Sequence, residues 1–143
     1  MKLIDDYLTP YAESLARFSA EASAALWDLP GVIVTDDATG VLTSREDMVA
    51  GLERSYPLYR ALGLASVSHE ILDHRWLSEQ VVDVHARWHF YDSAGQELTD
   101  STAHDVLRRR EAGLAATVCT QNDDEEKIAE LARRRGIDLA DFS

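Results

Sequence analysis

Several side chains in this sequence have types and placements that could do chemistry. Asp105 lies between Ala103 and Leu107 on one face of an extended stretch, so its carboxyl points among apolar neighbours. A carboxylate buried in that way is costly unless it is paired or protonated, which makes Asp105 either part of a site or one half of a structural pair. His104 sits next to it, but adjacent strand residues face opposite ways, so the two do not form a dyad. His85 and His89 share a face but stand about 13 Å apart at strand rise, too far to share one metal ion. They read instead as a solvated or dimer-contact stripe with Arg87. Cys119, the single cysteine, alternates with Thr117 and Gln121 and reads as a small buried side chain rather than a nucleophile. The sequence has no glycine-rich phosphate loop and no GxSxG, and no cofactor or metal is expected.

Aromatic residues form the larger set. Tyr11, Phe18, Trp27, Tyr56, Tyr59, Trp76, Trp88 and Phe90 come mainly from helical segments and from the apolar face of a strand. Around a hollow, Trp27, Tyr56, Tyr59, Trp88, Phe90 and Phe18 would line an apolar pocket with few polar groups, as a site for a small molecule does. In a filled core they would simply pack together.

The elements that position these residues follow from periodicity and punctuation. Leu3, Tyr7, Tyr11, Leu15 and Phe18 recur at helical steps, and Thr9 with Pro10 predicts a main helix from Thr9 to about Ala20. Ser23 is expected to cap a short helix over Ala24 to Trp27. Val32–Val34 and Val41–Leu42 predict a small hairpin around the turn residues Asp36 to Gly40. Thr43-Ser44-Arg45-Glu46 reads as a capping box headed by Thr43. The helix after it carries Met48, Leu52, Tyr56, Tyr59 and Leu62 inward, is kinked or interrupted by Pro57, and stops at Gly63. From Ser66 the period becomes two. Ser66–Trp76, Val81–Tyr91, Leu98–Arg110 and Leu114–Asn122 predict four long strands with short connections, an antiparallel meander. Acidic residues 123–126 and Arg133-Arg134-Arg135 bracket a last helix, spanning 123–136, in agreement with its dipole.

The 143 residues, 45% apolar and 28% charged, suit one α+β domain spanning residues 1–143. Acidic residues outnumber basic ones 26 to 14, and the net charge of −12 speaks against nucleic acid and anionic membrane surfaces as partners. One cysteine gives no internal disulfide, and no apolar run reaches the roughly 18 residues of a membrane span, so a cytoplasmic location is expected.

The order of elements resembles the nuclear transport factor 2-like superfamily, in particular its bacterial SnoaL-like and ketosteroid isomerase-like branches. The stretches that carry the likeness are Ala24–Pro30 leading into Val32–Val34, then Val41-Leu42-Thr43, Ala86-Arg87-Trp88 with its following turn, and Val106–Arg109 before Gly113. The likeness covers about 7–122, with the last helix outside it. It implies a cone-shaped, cystatin-like fold: a curved antiparallel sheet wrapped around N-terminal helices, with a pocket at the open end and a homodimer formed through the sheet. In the isomerase branch a helical Tyr, an Asp base at the end of the first strand and a protonated Asp on a long strand do the work. Tyr11 and Asp105 match two of these positions. The base position falls on Thr35, with Asp36 one residue further on. A one-residue step on a strand reverses the side chain, so Asp36 serves only if a bulge re-aims it. The leading expectation is a domain that binds a small apolar molecule. The alternatives are an isomerase or dehydratase using Tyr11, Asp36 and Asp105, and a dimerisation module with a filled core.

Overall fold

A computed structural model describes residues 2–142. The first helix, α1, spans Lys2–Ala16 and contains Pro10. It begins seven residues before the expected start at Thr9. Pro10 deprives the Asp6 carbonyl of its helical donor, but Asp6 is exposed and water can take that role. Burial of Ile4, Tyr7 and Leu8, all at 3% exposure or less, outweighs the defect. The second helix, α2, is Ala20–Ala24, and its cap is Ser19, which accepts from the Ala22 amide at 3.3 Å. The expected helix over Ala24 to Trp27 therefore gives way to an earlier one, and Ser23 is buried against the Ser14 hydroxyl.

Trp27 opens a strand instead: β1 runs Trp27–Val34 and pairs antiparallel with β2, Thr39–Leu42. Arg45 donates to the carbonyls of Ala24 and Trp27, fixing where α2 ends and β1 begins. Helix α3, Arg45–Glu53, is capped by Ser44, whose hydroxyl accepts from the Asp47 amide at 3.1 Å. The cap thus sits one residue beyond the expected Thr43. Pro57 interrupts the long helix as predicted. It lies in the first turn of α4, Tyr56–Leu62, where a missing N–H costs nothing, and Gly63 closes that helix in the left-handed region at φ 92°.

The long strands are β3, Ser66–Trp76; β4, Val81–Tyr91; β5, Glu97–Arg110; and β6, Gly113–Gln121. They form a curved, unclosed sheet in the order β2-β1-β6-β5-β4-β3. The meander is antiparallel as expected, but β1 joins β6 in parallel, so the sheet as a whole is mixed. Helix α5, Asp124–Arg135, ends on Gly136 at φ 69° and is followed by a short 3₁₀ turn at Leu139–Phe142. Arg134 donates to the Leu98 carbonyl at 3.3 Å, tying α5 to β5.

Alternation decides which residues face the helices. Val82, Val84, Ala86 and Trp88 of β4 and Ser101, Ala103, Asp105 and Leu107 of β5 are buried in register on the inner face. With Ile4, Tyr7 and Leu8 of α1 and Met48 of α3 they make the main core. Leu131 and Ala132 of α5 close a smaller one with Leu62 and Leu98. Among the described residues no helix is long and apolar enough to cross a membrane.

Candidate functional site

Between the inner face of the sheet and the helices lies a cavity of about 140 Å³. Strand β4 contributes Trp88 and Phe90, β1 contributes Trp27, and α1 contributes Tyr7 and Tyr11. Tyr59 of α4 and Asp124 at the start of α5 also line the cavity. Trp27 can lie across this space because residue 31 is glycine: a Cβ there would come within 2.7 Å of the Trp27 ring and 2.9 Å of the Met48 methyl.

The polar end of the cavity is built on Asp105. Its position in the inner row of β5 leaves it 6% exposed, and β6 places Cys119 directly across from it. The thiol donates to the carboxyl, and no salt bridge among the described residues reaches Asp105. Burial pushes the carboxyl up to about 6, against the Cys119 hydrogen bond. The thiol in turn is driven well up by burial and by the Asp105 charge, so it stays protonated. Trp27 donates from Nε1 to the Tyr11 hydroxyl at 3.2 Å, leaving the Tyr11 proton free to point elsewhere. Burial raises the phenols of Tyr7 and Tyr11, so both remain hydrogen-bond donors. The Tyr11 ring packs on Trp88 with centroids 6.0 Å apart and on Tyr7 at 5.8 Å.

The structure therefore brings together Tyr11, Asp105, Trp27, Tyr59, Trp88 and Phe90. Asp36 is not with them. It is exposed in the β1–β2 turn, beside a separate shallow depression lined by Asp37 and the first turn of α5. The turn is held by Thr35, whose hydroxyl accepts from the Ala38 amide at 3.2 Å and leaves Asp36 outside. No bulge re-aims it. Phe18 and Tyr56 also fall outside the cavity lining. Phe18 lies in the α1–α2 connection at φ 55° and meets Tyr56 edge to face at 5.3 Å, with the Arg60 guanidinium 4.4 Å above its ring. On the opposite face of the sheet His85 and His104 stack at 4.1 Å, and His89 lies between Glu97 and Glu70. Among the described residues no group of three potential ligands has the geometry for a metal ion.

Sequence reasoning missed Tyr7, Cys119 and Asp124 as lining residues. Tyr7 was visible as a helix-stripe residue one turn before Tyr11. The other two depend on strand register and on where α5 docks, for which the sequence holds no signal. Chemically, the arrangement offers an aromatic enclosure, hydroxyl donors, and one carboxyl that changes state near neutrality.

Residues 1–124 match the family model described as NTF2-like protein (DUF6841). The chain belongs to this NTF2-like family. No curated protein matches it. Solved structures share its fold. A domain of unknown function with a cystatin-like fold from Nostoc punctiforme is 16% identical, covers 94% of this chain and 91% of its own, and has a TM-score of 0.66. An NTF-2 like protein of unknown function from Shewanella oneidensis is 14% identical, with 84% and 96% covered and a TM-score of 0.66. A ketosteroid isomerase-like protein from Erwinia carotovora is 13% identical, with 84% and 92% covered and a TM-score of 0.62. At these identities the likeness is one of fold, and a fold does not by itself choose a function.

Proposed function

We propose that this NTF2-like chain binds a small, mostly apolar molecule in the cavity, with its polar group at Asp105. The observation that carries the reading is a buried carboxyl, met by the Cys119 thiol but by no salt bridge among the described residues, facing a void walled mainly by aromatic and aliphatic side chains. A void of that make-up also favours binding over a filled-core module. Phenol, a one-ring probe with one polar group, is the test. At millimolar concentration it should shift the indole N–H resonances of Trp27 and Trp88 and raise the melting temperature. Ala103→Phe, which fills the cavity from β5, should abolish both effects. Shifts that persist in the filled variant, or no shifts in the native protein, would refute the reading.

Isomerase or dehydratase chemistry is the second reading. Its support is the Tyr11–Asp105 constellation and a carboxyl titrating near 6, a useful value for proton transfer. Asp36 has no part in it at its present position. A cytoplasmic homodimer paired through the outer face of the sheet completes the proposal.

A further inference from the structure

We infer that the cavity selects a small organic cation, an amine or quaternary ammonium of about one-ring size; the inference rests on the reading of the cavity as a binding site. Three independent features point the same way. The first is charge. Asp105 and Asp124 both line the cavity, while no lysine, arginine or histidine lines it among the described residues. Neither carboxyl is met by a salt bridge among the described residues. An anionic ligand would bring a third negative charge into a desolvated space, and a hydrocarbon would leave the inner carboxyl without a counter-charge.

The second feature is the walls. Tyr7, Tyr11, Trp27, Tyr59, Trp88 and Phe90 surround the space. Aromatic faces carry the negative side of the ring quadrupole, and enclosures of them suit ammonium groups whose surface is apolar and whose charge is diffuse. The third is size. A cavity of about 140 Å³ is close to the volume of roughly 150 Å³ that accommodates benzene in an engineered core. A fused multi-ring ligand does not fit without enlargement. The net charge of −12 adds a long-range attraction for cations.

The groups that face Asp105 set how it responds to pH. They are Tyr7 and Tyr11 from α1 and Cys119 from β6 within the cavity, while Asp83 of β4 and His104 of β5 act on it through the sheet from the outer face. The tyrosines and the thiol stay protonated through the neutral range, so the groups that ionise at the cavity are Asp105 and Asp124, whose carboxyl burial also raises. A bound cation favours the carboxylate, so affinity should rise as pH passes upward through about 6.

The experiment compares choline with its uncharged isostere, 3,3-dimethyl-1-butanol, in the full chain, following the indole N–H resonances of Trp27 and Trp88. At about pH 7.5 choline should bind at least tenfold more tightly than the alcohol, and its affinity should fall roughly tenfold by about pH 5, while that of the alcohol stays level. Asp105→Asn should remove most of the choline preference; the pH comparison makes the same test without a substitution. Equal or tighter binding of the alcohol would overturn the inference and leave the site reading intact. Failure of both probes, together with failure of phenol, would remove the site itself.

Discussion

Asp105 illustrates how one residue in an inner strand row can hold stability and function in tension. Its carboxyl is raised to about 6 by burial. The folded protein therefore holds a proton more tightly than the unfolded chain, whose carboxyl titrates near pH 4. The stabilising contribution of that protonation is complete below about pH 4 and is lost as pH rises through about 6. Asp105→Asn removes the burden of ionising a carboxyl in the core. The variant should gain roughly 2–3 kcal/mol over the native protein at about pH 8 and nearly nothing at about pH 4. Urea unfolding at the two pH values checks this. Equal stability differences at both would show that Asp105 ionises freely in the fold.

At the scale of elements, the assignment of a helix cap is testable in the same direct way. Ser44, not Thr43, accepts the Asp47 amide at 3.1 Å. Ser44→Ala should therefore cost about 1 kcal/mol, while Thr43→Ala should change stability by only a few tenths. The reverse order would restore the capping box headed by Thr43. This one-residue displacement is typical of what was and was not legible in the sequence. The bounds of β4 followed directly from alternation, because one face of that strand is buried and the other is partly exposed. The start of α1 did not, because Pro10 looks like a beginning while the burial that overrides it is tertiary. Trp27 read as the end of a helix and is the first residue of β1, a change decided by the hold of Arg45 on its carbonyl. In the site, Tyr11 and Asp105 were found through resemblance, and Trp27, Tyr59, Trp88 and Phe90 through their aromatic character. Phe18 and Tyr56 share that character but face each other instead, which only the path of the α1–α2 connection determines. The place of Asp36 depended on the β1–β2 turn closing around Thr35.

For the whole molecule, the outer face of the sheet carries the remaining proposal. His85 and His104 stack there at 4.1 Å, near Asp83, and Arg87 lies between Glu70 and Asp100. A homodimer paired through this face should show twice the chain mass by light scattering at about 50 µM. His85→Glu, which adds a negative charge to the face on each copy, should shift it to monomer while leaving circular dichroism unchanged. A native protein that is monomeric at that concentration would eliminate the dimer.

Helix α5 carries one more consequence. Its first residue, Asp124, is the last of the stretch matched by the NTF2-like family model and lines the cavity, while its apolar side beyond that stretch seals Leu62 and Leu98. The matched stretch thus supplies every residue that lines the cavity, and the tail after it supplies a buttress. Exchanging the tail would disturb the support beneath Leu62 and Leu98 while leaving every residue around the hollow in place.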